Sequence, residues 1–275
     1  MMKVYASPAF DTARASFLTH LNYVKRIEHL LNGCSVSVKP SKVGSLRRAD
    51  ITRFIRLYEV TRKSIKKDIE LAREDTAFAV ISAPWFPVKC YYALYYLESV
   101  LVHLMDGAAV GFVKGGHAGV RKKISMHIQS GALDFSVPDL NRSHLVEEIE
   151  NIPAITGGRN TRGSYWSEDS CTDSLLKKLS DYKLHDAKVG RKWNLRTKTG
   201  RADKAIFAAG ENVTVLDFFY WYRIKANYRD LDYVDFENGI TEREVLEYIE
   251  TYYKAYGKYR SLIAAEINRR TRAWA

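Results

Sequence analysis

From Phe10 to Leu31 the apolar residues Ala13, Phe17, Leu21, Val24 and Leu31 recur at intervals of three, four or seven. That spacing puts them on one stripe of a helix, and Asn32 and Gly33 supply its stop. Between Arg47 and Leu71 the pattern is sharper, because Ile51, Phe54, Ile55, Tyr58, Ile65 and Ile69 fall within about 100° of arc with no Gly or Pro among them. Pro84 and Pro87 bracket Trp85 and Phe86, and Pro87 stands in the first turn of the apolar run VKCYYALYYLESVLVHLM, where a proline is tolerated. A helix apolar on most of its sides belongs in the middle of a bundle. The glycine-rich GFVKGGHAG reads as a connection. A short helix follows, with Val120, Ile124 and Ile128 inside and Arg121, Lys122 and Lys123 outside.

Half of the twenty residues from Asn151 to Ser170 are Gly, Ser, Thr or Asn, which predicts a long exposed loop. Thr172 is the expected cap of a brief helix carrying Leu175, Leu176, Leu179 and Tyr182, and Lys188 to Lys204 reads as a second irregular, basic stretch. Thr214 and Asp217 have capping-box spacing and open a helix through FFYWYRIKANYRDLDYVDF to Asn238 and Gly239. Thr241 and Glu244 repeat the device. After them Val245, Ile249, Tyr252, Tyr256, Tyr259, Ile263 and Ile267 continue at three-and-four spacing, so the last two helices form a hairpin. Alternation with period two is confined to the region of Val36 to Val43, and there is no internal repeat. The expected fold is therefore all-α: one domain over 1–275, with a helical bundle core from 10–106 and 213–270 and a long, partly irregular insertion at 107–212. Its helices lie near 10–31, 47–71, 87–105, 214–237 and 241–269.

Composition agrees with a folded chain: of 275 residues, 46% are hydrophobic and 27% charged, unlike a disordered segment. A core of this size needs no disulfide or metal staple, and Cys34, Cys90 and Cys171 are odd in number and lack CxxC spacing. The start, MMKVYASPAF, has no apolar run with a small-residue cleavage site, and the apolar run from Cys90 to Met105 is interrupted by Glu98 and His103. A cytoplasmic protein with no membrane partner is expected. Charge narrows the picture further, since 43 basic against 32 acidic residues leave +11, the balance of a protein that meets a polyanion.

That charge is concentrated. Lys42, Arg47, Arg48, Arg53, Arg56, Arg62, Lys63, Lys66 and Lys67 face only Asp50 and Glu59 between residues 42 and 67, and Arg53, Arg56, Lys63 and Lys67 share the side opposite the apolar stripe. Such a rail suits a row of phosphates, whose neutralisation releases counterions and gives salt-dependent, sequence-tolerant binding; it equally suits a solvated face paired with acids elsewhere. A second group, Lys188, Arg191, Lys192, Arg196, Lys198, Arg201 and Lys204, surrounds Trp193, and an aromatic among cations can stack on an unpaired base. In the helix after Thr214, Arg223, Asn227 and Asp230 occur at i, i+4 and i+7 on a side shared with Phe219, Ala226 and Val234. Burying a guanidinium and a carboxylate is costly unless they pair, so these residues serve either helix packing or chemistry.

The segments APWFPVKCYYALYYLESVL and RIKANYRD resemble the two central signatures of the HEPN superfamily, helical bundles with a YYA-like helix and a later arginine-bearing one. In HEPN ribonucleases a histidine follows the arginine by a few residues, and the two act across a dimer interface in metal-independent RNA cleavage. Here the positions after Arg223 hold Tyr228, Arg229 and Asp230, with no histidine. The resemblance implies a homodimer of prokaryotic or phage type that binds nucleic acid, RNA rather than DNA, without a cofactor. It implies either an endoribonuclease of a toxin or antiphage defence system, with an antitoxin or defence-complex partner, or a non-catalytic module that docks a partner protein or nucleotide-binding subunit. In the catalytic case Arg223 would bind the scissile phosphate, Asn227 would orient it, and Tyr228 or Asp230 would exchange a proton.

Histidine offers one rival. His185 and Asp186, with His144 upstream and Asp217 downstream, follow the order of metal ligands in HD phosphohydrolases. His144 and Glu147 have HxxE spacing without a second metal-binding element, and GGHAG lacks the lysine and hydroxyl of a P-loop.

Overall fold

The apolar run after Trp85 forms the central helix, Phe86–Asp106, and it packs against four others because nearly every side of it is apolar. The computed structural model describes residues 8–39, 48–106, 116–136, 141–142, 168–228 and 239–272. Among these, 82% are helical, in nine helices, and the fold is all-α. In chain order they are α1 (Pro8–Leu30), α2 (Arg48–Glu74), α3 (Thr76–Ser82), α4 (Phe86–Asp106), α5 (Gly116–Gln129), α6 (Glu168–Arg191), α7 (Lys198–Gly210), α8 (Val215–Tyr228) and α9 (Glu242–Arg272). Two short antiparallel pairs tie distant segments together: β1 (Val36–Val38) with β2 (Leu133–Phe135), and β3 (Asn141–Arg142) with β4 (Val213–Thr214). No helix among the described residues is long and apolar enough to cross a membrane.

The stripes read from the sequence are the buried faces. Phe17, Leu21 and Val24 of α1 are buried on the side that meets α9, and Tyr58, Ile65 and Ile69 of α2 are buried on the side that meets α4. Gly33 follows α1 at φ 80°, a left-handed backbone that costs a glycine little. Both capping boxes form. The Glu244 carboxylate accepts from the Thr241 backbone N–H at 2.9 Å and its hydroxyl at 3.0 Å, and the Asp217 carboxylate does the same for Thr214 at 2.9 and 3.1 Å.

Between α4, α8 and α9 the core is largely aromatic. Tyr248, Tyr252 and Tyr259 of α9 lie buried against Phe218, Phe219 and Tyr222 of α8, with Phe219 and Tyr259 stacked at 5.6 Å. The hydroxyl of Tyr222 reaches α1, 3.0 Å from His20 Nδ1, and that of Tyr259 donates to Glu98 Oε1 of α4 at 2.6 Å. Glu98 is fully buried and its Oε2 has no partner.

Several expectations are corrected. Helix α3 was not read from the sequence, although Asp75 caps it by accepting from the Ala77 N–H at 3.0 Å. Glu168 to Ser170 are the first turn of α6 rather than loop, while 151–167 lie outside the described residues. Thr172 is therefore not a cap: it is buried one turn inside α6, where its hydroxyl accepts from Arg26 Nε. The basic stretch after Lys188 is the end of α6, a tight corner and α7. The corner turns on Lys192 at φ 55°, and Gly200 is needed there because a Cβ would sit 2.1 Å from the Asn194 carbonyl oxygen. GGHAG is not all connection, since α5 starts at Gly116, and Arg121 points inward rather than out. Residues of α5 and α6 belong to the same buried cluster as the other helices, so the described parts of the insertion share the bundle's core.

Burial raises the Glu98 carboxyl from 4.5 to about 8, against the opposing hydrogen bond from Tyr259. A raised carboxyl means that the folded protein holds a proton which the unfolded chain has released, so stability falls as pH climbs from the ordinary value toward 8. Glu98→Gln keeps an acceptor for Tyr259 and removes the titration. Urea unfolding of the parent chain is expected to weaken, on the order of a few kcal/mol, between mildly acidic and mildly alkaline pH, whereas the variant stays nearly level.

Candidate functional site

The site is assembled around the first turns of α8. Capping alone would occupy Asp217, but this carboxylate is 3% exposed and also receives two cations from other helices. Arg121 of α5 donates to Oδ1 through Nη2 at 2.7 Å and Nε at 3.2 Å, and Lys183 of α6 donates to Oδ2 at 3.0 Å. Burial by itself would raise the carboxyl; Lys183 and Arg121 outweigh that and hold it at about 2. The Lys183 ammonium also donates to the Asn212 carbonyl at 2.6 Å, and the Arg121 guanidinium lies 3.9 Å over the ring of Tyr220. One carboxylate thus holds α5, α6 and α8 at a common point.

Arg223 stands nearly two turns further along α8. Its guanidinium lies 5.4, 5.6 and 5.7 Å from the rings of Tyr92, Tyr91 and Tyr220, and its Nη2 donates to the Tyr92 hydroxyl at 3.3 Å. No carboxylate pairs with it among the described residues, and its Nε is buried without a hydrogen-bond partner. Such a donor is costly to leave unmade, so an anion that reaches it gains more than an exposed arginine offers.

A histidine from another helix lies against the same tyrosines. His117 lies four residues before Arg121 in α5, hence on the same helix face, and the clamp on Arg121 brings it to the tyrosines of α4. Its Nδ1 is 3.0 Å from the Tyr91 hydroxyl, and its ring lies 4.1 Å from Tyr95 and 5.3 Å from Tyr92, the residue that Arg223 touches. Burial, then the charges of Arg223 and Arg121, push the imidazole from 6.5 down to about 4. It is neutral at physiological pH. In the tautomer that donates Nδ1–H to Tyr91, a bare Nε2 is left, and no described residue occupies it. Sequence reading missed His117 because its partner is 106 positions away, and the one available signal, its helical spacing from Arg121, carried no hint that Arg121 is buried.

The remaining expected site residues divide plainly. Asn227 and Tyr228 belong to α8, but their side chains, like all of Asp230, lie outside the described residues. On α2, Arg53, Arg56, Lys63, Lys66 and Lys67 are exposed; Arg62 is taken by Glu59 and Lys66 lies 3.6 Å from Glu70, leaving Arg53, Arg56, Lys63 and Lys67 without an acidic partner among the described residues. Arg47 and the Arg48 side chain are outside the description. At the α6–α7 corner Lys188, Arg191, Lys192, Arg196, Lys198 and Arg201 are exposed. Trp193 is a correction: it is 9% exposed, packed 5.4 Å from Phe207 with Arg191 above both rings, so it closes the corner and offers no free face to a base. The HD ligand set does not assemble either. His185 and Asp186 are exposed on α6, Asp217 is held by its cations, and His144 and Glu147 lie outside the described residues. Among the described residues no three His, Cys, Asp or Glu side chains converge as a metal site would require.

Comparison with protein-family models, with curated proteins and with solved structures finds no match to this chain.

Neutralising one member of the clamp strands the others. Asp217→Asn leaves the Arg121 side chain, 12% exposed, without its counter-charge, and Lys183, 9% exposed, with only Glu211 at 3.6 Å. A loss of about 3–5 kcal/mol is expected in denaturant unfolding. Because the native carboxyl sits at about 2, the parent chain keeps this contribution above the ordinary carboxylate range and loses it as pH falls toward 2.

Proposed function

We propose that this chain is a HEPN-like RNA-binding protein that cuts a single RNA strand without a metal ion, at the centre made by Arg223 and His117. The observation that carries the reading is the half-buried Arg223, with no acidic partner among the described residues, against the same tyrosines as a histidine kept neutral. Neutral imidazole Nε2 takes the proton of a 2′-hydroxyl as that oxygen forms a bond to the adjacent phosphorus. The bond from phosphorus to the 5′-oxygen breaks, the leaving oxygen takes a proton from water, and the imidazolium returns its proton to the hydroxide so formed, which gives a cyclic phosphate, a free 5′-hydroxyl and neutral His117. Arg223 meets the negative charge that grows on the non-bridging oxygens, from a site whose surroundings strengthen that attraction. Asn227, Tyr228 and Asp230, which follow it in the R-x-x-A-N-Y run, orient the phosphate and assist the proton transfers. Arg53, Arg56, Lys63 and Lys67 of α2 hold phosphates further along the strand.

The test is end-labelled single-stranded RNA incubated with the purified protein in excess chelator. Cleavage is expected. Arg223→Ala and His117→Ala should each slow it about 10²-fold or more, with thermal midpoints close to the parent's. The acid limb of the rate profile should fall near pH 4, where His117 takes up its proton, instead of near 6.5. RNA retained in a steeply salt-dependent way but never cut would replace this reading with that of a non-catalytic binding module.

A further inference from the structure

A cleft of about 300 Å³ opens between α2, α4 and α5, lined by Asp50, Arg53, Phe54, Tyr95, Ser99 and Val120. It adjoins the centre described above. Tyr95 forms part of its wall and lies 4.1 Å from the His117 ring, and Val120 is one turn beyond His117 on α5. Its apolar wall is Phe54 and Tyr95, 6.3 Å apart and both only partly buried, with Leu57 and Val120 beside them. Two opposite charges stand at the rim, one turn apart on α2. Arg53 is exposed, and neither it nor Asp50 has an ion-pair partner among the described residues.

These features call for a ligand with a flat unsaturated body, an anionic group for Arg53 and a hydrogen-bond donor for Asp50. A nucleobase carrying an exocyclic amine, together with its phosphate, has all three. We infer that the cleft is the base-recognition subsite of the same centre, taking one unpaired adenine, cytosine or guanine of an RNA strand against Phe54 and Tyr95. The inference rests on the function proposed above and specifies its substrate. A base can enter only after leaving its helical stack, so single strands are selected over duplexes. Uracil has no exocyclic amine, and its N3–H donor stands between two carbonyl oxygens that a carboxylate repels, so it is disfavoured.

The experiment measures fluorescence anisotropy of short end-labelled oligo(A), oligo(C) and oligo(U), 2′-O-methylated so that no cutting interferes. Oligo(A) and oligo(C) are expected to bind about tenfold tighter than oligo(U), and Tyr95→Leu or Phe54→Leu to weaken them about tenfold. Asp50→Asn should remove the preference. Arg53→Ser, at an exposed position that leaves the fold intact, should weaken all three alike and lower the salt slope by about one. Equal affinity for the three oligomers, unmoved by Tyr95→Leu and Phe54→Leu, overturns the subsite. Cutting of unmethylated RNA with no base preference also overturns it, while leaving the Arg223 and His117 centre standing. A base preference that follows Asp50 and Tyr95 in a chain that cuts nothing keeps the subsite and removes the cleavage.

Discussion

The buried carboxylate of Asp217 is the constraint on which the site depends. It accepts from its own cap, from Arg121 and from Lys183, so three helices distant in sequence meet at one group. None of the three cationic or anionic side chains would be tolerated there alone, since each would lose its water without a replacement. The exchange is worthwhile only with all of them present, which makes the junction exacting in geometry. Its consequence lies one turn away on α5, which carries His117, and nearly two turns away on α8, which carries Arg223, and the same clamp fixes the two helices relative to each other.

Tyrosine does the rest of the positioning. The run YYALYY on α4 supplies Tyr91, Tyr92, Tyr95 and Tyr96, whose rings are bulky enough to keep water from the guanidinium and imidazole while their hydroxyls still give hydrogen bonds. The ring faces are also electron-rich, so Arg223 lies on those of Tyr91 and Tyr92 with no carboxylate partner among the described residues, while Arg121, already paired with Asp217, lies on Tyr220 of α8. Burial among these rings, and then the two nearby cations, keep the imidazole of His117 from charging. A carboxylate in the position of any of these tyrosines would instead pair with Arg223 and favour the charged imidazole.

Much of the architecture was legible in the sequence because helical burial is periodic. The stripes of α1, α2 and α9, the proline at the start of α4 and the capping boxes at Thr214 and Thr241 each announce themselves locally, and each appears where the spacing put it. What escaped was set by partners far along the chain. Arg121 looked like a surface cation because nothing near it shows that Asp217 lies beneath. Trp193 among cations looked like a free stacking ring, whereas Phe207, beyond the corner, covers it. Helix α3 is short enough that its few apolar residues set up no period. Arg223 could be singled out from its place on an apolar stripe, yet His117, which lies against the same tyrosines, could not, since it sits in a segment whose glycines suggested a connection.

Acid separates the two halves of this design. The clamp keeps its charge down to about 2, and His117 becomes charged near 4. Between those values α5 and α8 are still joined, while an imidazolium stands beside two guanidinium groups. Like charges at such range repel, and the half-exposed histidine can relieve this by turning toward water, which Asp217 and Arg121 cannot do. The strain therefore falls on the one member of the cluster that has somewhere to go. Fold and site respond to protonation at different places, because the charge that holds the helices is fully buried and paired with cations, whereas the imidazolium that disturbs the site is only partly buried and has no counter-charge among the described residues.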